Sequence, residues 1–304
     1  MRVQGVAREL GWRPDAVLHQ QMASVRPSSP HGYLANIGVI LHRPAVELAT
    51  LPTIREHLNG VVERAQELGF GVNLFNMASE PLKARRLISI LRARGIRGLV
   101  FVDMDERLDL EYAQLTEEFA AVSVGVDPGI PHLHVAISDY LSMTRRAINE
   151  LRAAGYRRPG IVLPRGTENL LHWGLTGGFH ACIADLPAED RIPICYCGEK
   201  ELFVPRWDFK TMHSWLDEHR PDVVLGIDTI GPAKVVAAST RYADVPIYSL
   251  DWHSGEGARG GIDQRPNQIG REAINMLLAH LQGGVSNERP LSQVVMVREA
   301  WVAC

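Results

Sequence analysis

A regular alternation of short apolar runs with longer helical segments constrains the fold of this chain more than any other feature. From residue 36 onward, runs rich in Val, Ile and Leu, such as residues 37–41, lead through polar turns into segments with apolar residues every three or four positions. Several of these segments end in glycine, as at Gly69, Gly95 and Gly155, which is typical of helix C-termini. Strands that alternate with helices favour parallel pairing, so the sequence predicts an α/β fold.

The repeating units form two consecutive sets. With 304 residues, the chain is about twice as long as a typical domain, which favours two compact units. The first set ends with the run at residues 133–137, and the second continues from the next helix to the run at residues 246–250. Three later segments, at residues 260–266, 269–281 and 294–302, can belong to either sheet. The sequence therefore predicts two parallel sheets in tandem, each flanked by helices.

Polar side chains follow several of the predicted strands. In open parallel sheets, ligands bind beyond the carboxyl ends of the strands, and two such sheets that face each other enclose a cleft. The polar residues at these positions are His42, Arg43, Asp103, Asp127, Asp228 and Asp251. A single aspartate after a strand is more often a turn former or a helix N-cap. Their number, however, indicates a polar ligand-binding cleft.

Composition excludes several classes of protein. A net charge of -3 does not favour a nucleic-acid coat or a polybasic membrane binder. Four cysteines without a CxxC pair are too few for a disulfide scaffold and favour a reducing compartment. The N-terminal segment has no uninterrupted apolar run, and no stretch reaches the roughly 18 apolar residues of a membrane span. We therefore expect a cytoplasmic protein.

Motifs for catalysis and for metal binding find little support. Gly255, Gly257 and Gly260 spell GxGxxG, but an extended segment follows them instead of the helix that a dinucleotide site requires. His132 and His134 share a strand face, yet no further ligand stands at a telling spacing. Nucleophile elbows, zinc helices and phosphate loops are missing from the sequence. We expect no catalysis, no metal and no cofactor.

Four segments carry a resemblance to one family. Residues 2–17, RVQGVARELGWRPDAV, closely resemble the end of the DNA-binding headpiece of LacI-family transcriptional regulators, where Leu, Gly, an aromatic residue, any residue, Pro and Asn precede a hinge helix. Residues 226–239, 249–252 and 262–284 resemble the effector-binding core of the same family. The resemblance extends over nearly the whole chain.

The resemblance implies a periplasmic-binding-protein type I architecture, in which two Rossmann-like subdomains are joined by three crossovers. It places the first subdomain at residues 34–137 plus 257–284, and the second at residues 138–252 plus 290–304. The crossovers are expected near residues 137–139, 252–257 and 284–290, and the helix after residue 266 is expected to return to the first subdomain. A homodimer is implied as well.

Residues 1–30 are expected to be a remnant of the DNA-binding headpiece. The family headpiece begins with two helices that form a helix-turn-helix, and residue 1 falls inside its third helix. We expect a truncated headpiece, the alternative being a core without the capacity to read DNA. The hinge helix is expected to start at Pro14. Gln21 stands where the family has the leucine that enters the minor groove, with Met22 beside it as a substitute wedge.

The resemblance also assigns positions in the effector cleft. Asp251 matches an effector-binding aspartate, and Asp228 matches an aspartate that usually follows asparagine, here replaced by Ile227. Phe203 falls where an aromatic ring stacks on the effector, and Gln264 falls where a polar side chain reaches the cleft.

One departure from the family pattern bears on the kind of effector. The arginine that grips the effector is replaced by Leu175, and Trp173 or His172 is expected to take its space. Because arginine is a forked donor suited to carboxylates, its loss disfavours anionic effectors. Carboxylates accept hydrogen bonds from hydroxyl groups and aromatic rings cover apolar sugar faces, so the pattern favours a sugar or sugar derivative.

The function that follows is a ligand-responsive, DNA-binding transcriptional repressor. Effector binding would shift the closure of the subdomains, and a twofold dimer would match a pseudo-palindromic operator. One alternative is a solute-binding protein of a transporter, which would require an export signal and leaves residues 2–15 unexplained. An enzyme would need a positioned acid, base or nucleophile, which aspartates at strand ends do not establish.

Overall fold

The computed structural model describes residues 35–43, 48, 50–104, 110–130, 132–166, 168, 171–201, 204–227, 230–239, 241–254, 258–282 and 291–303. The expected headpiece and hinge, with Pro14, Gln21 and Met22, lie outside the described residues. So do two of the expected cleft residues, Phe203 and Asp228.

Strands and helices alternate along most of the described chain. The strands are β1 (Ala35–Leu41), β2 (Phe70–Asn76), β3 (Gly98–Val102), β4 (Ala120–Val124), β5 (His134–Ser138), β6 (Pro159–Arg165), β7 (Cys195–Glu201), β8 (Val204–Arg206), β9 (Val223–Gly226), β10 (Ile247–Ser249), β11 (Gly261–Asp263), β12 (Val294–Val297) and β13 (Ala300–Val302). The helices are α1 (Pro52–Glu67), α2 (Ala84–Ala93), α3 (Leu110–Glu118), α4 (Tyr140–Ala153), α5 (Gly174–Ile183), α6 (Phe209–His219), α7 (Ile230–Ala238) and α8 (Pro266–Gln282), with a short 3-10 turn at Ala188–Asp190.

The strands form two sheets. The first has the order β12-β5-β4-β3-β1-β2, and all of its strand pairs are parallel. The second has the order β13-β11-β10-β9-β6-β7-β8, with antiparallel strands only at its two edges. Buried on both faces, strands such as β3 and β5 read as continuous apolar runs, which is typical of parallel sheets covered by helices. The prediction of two parallel α/β subdomains is confirmed.

Helix α8 packs against α1 on the first sheet, as the sequence predicts. Two glycines allow the helix backbones to touch. A β-carbon at Gly60 would lie 1.9 Å from the carbonyl oxygen of Asn267, and one at Gly270 would lie 2.2 Å from that of His57. Ile269, Ala273 and Leu277 of α8 are fully buried in the same core.

Two late strands lie in the opposite sheets from those predicted. Strand β11 pairs with β10 in the second sheet, and β12 pairs with β5 in the first. Gly261 is required at the first of these pairings, since a β-carbon there would lie 2.0 Å from the carbonyl oxygen of Ser249. Consequently the chain crosses between sheets at residues 139, 264–265 and 298–299. The second and third crossovers thus lie later in the chain than the resemblance implied, at 252–257 and 284–290, since the local sequence of a short strand does not identify its partner.

Helix length and composition bear on membrane insertion. Of the helices within the described ranges, none is both long and apolar enough to cross a bilayer.

Candidate functional site

The carboxyl ends of the two sheets meet across a cleft, and a hydrogen bond joins its walls. Thr53 lies in the first turn of α1 on the first sheet, and Asp251 follows β10 of the second. The hydroxyl group of Thr53 donates to Oδ2 of Asp251 at 2.6 Å. Placing a carboxylate at a helix N-terminus is favourable because of the helix dipole. Thr53 and Asp251 therefore bring the carboxyl ends of the two sheets into direct contact.

Tyr140 occupies the centre of this cleft. It is the first residue of α4, directly after the first crossover, and its hydroxyl group donates to the carbonyl oxygen of Gly125 at 2.9 Å. Burial raises the pKa of the Tyr140 phenol above its ordinary value, and the negative charges of Asp103 and Asp251 raise this pKa further. The phenol therefore stays protonated and donates to Gly125, and the charges of carboxylates from both sheets act on it. Nothing in the sequence distinguishes Tyr140 from other residues at helix starts.

Asp103 forms the floor of the cleft together with a histidine. Its carboxylate oxygen Oδ2 lies 2.9 Å from Nδ1 of His57, and the two residues are only 4% and 3% exposed. The absence of a side chain at Gly125 leaves space for the Asp103 carboxylate, since a β-carbon there would lie 2.1 Å from Oδ1 of Asp103. Asp103 was predicted from its strand end, whereas His57 was not. The available signal was its position on the apolar face of α1, between Ile54 and Val61.

Arg43 is fixed at the end of β1 by its neighbours. It is almost completely buried, and its guanidinium donates to the carbonyl oxygen of Asp103. The side-chain amide of Asn76 donates to the carbonyl oxygen of Arg43 at 2.7 Å, and its oxygen accepts from the Arg43 amide at 3.3 Å. Arg43 therefore ties the strand ends together beneath the cleft. His42, beside it, is partly exposed.

One carboxylate oxygen of Asp251 lacks a hydrogen bond within the described residues. His253 Nε2 lies 2.9 Å from the Thr53 hydroxyl oxygen and 3.4 Å from Oδ1 of Asp251. Oδ1 is buried and forms no hydrogen bond within the described part of the chain. A buried carboxylate oxygen without a hydrogen bond is unfavourable, and a ligand hydroxyl group would satisfy it.

Gln264 connects two crossovers. Its Oε1 accepts from the hydroxyl group of Ser138 at 2.8 Å, and its Nε2 donates to the carbonyl oxygen of Leu250 at 2.9 Å. Both ends of the buried amide are thus engaged with the protein. This arrangement gives Gln264 a structural position between the subdomains, where the sequence predicted contact with the effector.

The mouth of the cleft brings together three other predicted residues. Nε2 of His172 lies 3.3 Å from the carbonyl oxygen of Asp127, which follows β4 on the opposite wall. Oδ1 of Asp127 accepts from the amide of Gly129 at 2.8 Å, so Asp127 also shapes a turn. Trp173 is 59% exposed. Leu175, which replaces the family's arginine, is fully buried in the core of the second subdomain.

Glu168 supports this region and was not predicted. Its buried carboxylate oxygen Oε2 accepts from the amide of Thr176 at 3.2 Å and from the Thr176 hydroxyl group at 2.7 Å. The contact satisfies a free amide in the first turn of α5 and holds the preceding segment in place. A glutamate several residues before a helix gives no sequence signal that would reveal this role.

A metal site does not form from the described side chains, among which no group of three His, Cys, Asp or Glu residues converges. His134 is instead buried at the far end of the first sheet. Its Nδ1 accepts from the amide of Gln293 at 3.1 Å, and its ring packs edge-on against His280.

Comparison with known proteins agrees with this architecture. A family model described as periplasmic binding proteins and sugar-binding domain of the LacI family matches residues 35–198. No curated protein matches the sequence.

Among solved structures, the transcriptional regulator CelR in complex with cellobiose has a TM-score of 0.67 and 17% identity, with 98% of this chain and 97% of that chain covered. A LacI transcriptional regulator from a Rhodococcus species has a TM-score of 0.63 and 16% identity, with 88% and 96% covered. Regulator CcpA of Lactococcus lactis has a TM-score of 0.61 and 14% identity, with 88% and 97% covered. These likenesses establish a shared fold.

Proposed function

Because the chain belongs to the family of periplasmic binding proteins and LacI sugar-binding domains, we propose that it is a sugar-responsive transcriptional repressor. A family so described binds ligands, in keeping with the expectation that the chain is not an enzyme. The observation that carries the proposal is Asp251, which joins the two sheets through the Thr53 hydroxyl group and whose buried Oδ1 forms no hydrogen bond within the described residues. The proposed effector is a neutral sugar in this cleft.

The chemistry of the cleft suits hydroxyl groups better than anions. Asp251 offers an unused buried acceptor, and the carboxylate of Asp127 stands at the mouth. Two carboxylates repel a negatively charged ligand, whereas each accepts hydrogen bonds from sugar hydroxyl groups. That CelR is found with cellobiose, a neutral sugar, supports the same ligand class. His42, Phe203 and Asp228 remain predicted contacts.

The contact between Thr53 and Asp251 offers a route for regulation. An effector hydroxyl group that binds Oδ1 of Asp251 engages the same carboxylate that Thr53 holds through Oδ2. The sugar then favours one degree of cleft closure over another, which is the differential affinity that an effector needs. In the proposed homodimer, this change alters the spacing of two headpieces on a twofold operator. The proposed hinge contacts with DNA are Pro14, Gln21 and Met22.

Sugar binding is tested by thermal denaturation of the full chain with and without neutral sugars. A sugar at 100 times its dissociation constant should stabilise the protein by about 2.7 kcal/mol. Asp251→Asn should lose most of this gain, whereas Asp244→Asn, at an exposed position, should keep it. If no sugar stabilises the chain, or if Asp251→Asn responds like the wild type, the proposed site is wrong.

DNA binding is tested by selection from a random duplex pool with the intact protein, which includes a complete headpiece. The repressor proposal expects enrichment of twofold-symmetric sequences and a change in their affinity when the sugar is added. Sugar binding without any DNA enrichment would instead favour a solute-binding protein of a transporter, a class that the matched family also includes.

A further inference from the structure

The mouth of the cleft contains two consecutive residues in the left-handed backbone region. His172 has φ 49° and Trp173 has φ 59°, and neither is glycine. Such conformations are uncommon for bulky side chains and persist only where the surroundings enforce them. The amide of Trp173 donates to the carbonyl oxygen of Glu168 at 2.9 Å, and the amide of Gly174 donates to that of Leu171 at 3.0 Å. These two backbone hydrogen bonds therefore hold the turn in its conformation.

This constrained turn presents an indole ring to solvent. Trp173 is 59% exposed, although its size makes burial favourable. The preceding residue, His172, reaches across the cleft to Asp127. The imidazole thus lies beside Asp127, and the exposed indole is on the next residue of the same turn. A ring that covers apolar C–H groups, beside polar groups that bind hydroxyls, is a combination suited to a saccharide.

This mouth lies next to the inner part of the cleft on both walls. On the first wall, Gly125 contacts Tyr140 and Asp127 contacts His172, and two residues of extended chain span at most about 7 Å. On the second wall, Trp173 precedes Gly174, where a β-carbon would lie 2.6 Å from Cβ of Tyr140. The two levels are therefore close enough for one linear ligand to occupy both.

We propose that Trp173, His172 and Asp127 form an outer saccharide subsite, so that the effector is a neutral oligosaccharide of at least two rings. The inner ring binds between Asp103 and Asp251, and the next ring stacks on the indole of Trp173. Hydroxyl groups of the outer ring replace the 3.3 Å contact between His172 and Asp127. This assignment rests on the proposed function, because it requires a sugar in the inner cleft.

The experiment is calorimetric titration of the full chain with glucose, galactose, cellobiose, maltose and lactose. Wild type should bind one disaccharide at least roughly tenfold more tightly than the monosaccharides, which is the range expected for a stacked ring. Trp173→Asn removes the ring with a residue that tolerates the left-handed conformation. It should lose this preference and leave monosaccharide affinity unchanged. Trp173→Phe should keep most of the preference, and Leu291→Ala, at an 85% exposed apolar residue, should keep all of it.

Four outcomes would overturn the outer subsite. If a monosaccharide binds as tightly as every disaccharide, or if Trp173→Asn binds the disaccharide like the wild type, the subsite is refuted while sugar binding in the inner cleft stands. Equal weakening of monosaccharide and disaccharide by Trp173→Asn would place the ring in a single site and refute it as well. If no saccharide in the panel binds, the proposed function fails together with the subsite.

Discussion

Gly125→Ala tests the arrangement of the cleft floor most directly. A β-carbon at this position would lie 2.1 Å from Oδ1 of Asp103 and 2.8 Å from Cε1 of His57, so the buried pair must move. Gly125 also has φ 86°, where alanine is strained by about 1–2 kcal/mol. A buried hydrogen-bonding group that loses its partner costs about 1–3 kcal/mol. Disruption of the hydrogen bond between Asp103 and His57 plus strain therefore predicts a total loss of roughly 2–5 kcal/mol.

Gly129→Ala is the matched control. Gly129 lies four residues later with φ 70°, and a β-carbon there meets no atom within 4 Å. This variant should lose only the strain contribution of about 1–2 kcal/mol. Urea denaturation of both variants, with equal slopes, measures the difference in free energy of unfolding. Equal losses in the two variants would show that the Asp103 carboxylate does not occupy the space beside Gly125.

A double-mutant cycle identifies the contact responsible. In an Asp103→Ala background, Gly125→Ala should cost clearly less than in the wild type, because only the backbone strain and the 2.8 Å contact with Cε1 of His57 remain. Persistence of the full loss in that background would assign the clash to another group and contradict the described floor.

Three further predictions concern the scaffold. Burial lowers the pKa of His134 and of His280, so the unfolded chain binds protons more readily than the folded chain. The free energy of unfolding should therefore fall as pH drops below about 6.5. The fall in the urea midpoint between pH 7.5 and pH 5.5 should be larger in wild type than in His280→Leu. Gly270→Ala should destabilise the protein by about 2–3 kcal/mol, since its methyl group would meet the His57 carbonyl oxygen at 2.2 Å; an unchanged thermal midpoint would refute close packing of α1 and α8. Gly177→Ala, in α5 with open space around it, should instead stabilise by about 0.5–1 kcal/mol in the same assay.

The sequence was sufficient for most of the helices and strands, because their burial follows local periodicity. Gly69 and Gly155 were predicted as helix ends, and both have positive φ in the structure. Assignment of strands to sheets failed for Gly261–Asp263 and Val294–Val297. Both are short, and each is placed by a distant partner that periodicity does not reveal.

The candidate site was predictable only in part. Aspartates at strand ends located the cleft, since parallel strands bring their carboxyl ends to one edge. The sequence did not reveal that Asp103 pairs with His57, 46 residues away, or that the charges of Asp103 and Asp251 both act on Tyr140. Gln264 was expected to contact a ligand, yet its amide joins Ser138 to Leu250. These roles depend on tertiary contacts between elements far apart in the chain.

The contact between α1 and α8 has a mechanical consequence for the cleft. Their backbones touch at Gly60 and Gly270, and Arg271 donates to both carboxylate oxygens of Glu67 at 2.9 and 2.6 Å. Close-packed backbones leave no space in which one helix could slide past the other. We therefore expect the two helices to move together as one rigid unit. A movement of Asp251 that displaces Thr53, in the first turn of α1, should therefore also displace α8. The first residue of α8 directly follows the second crossover.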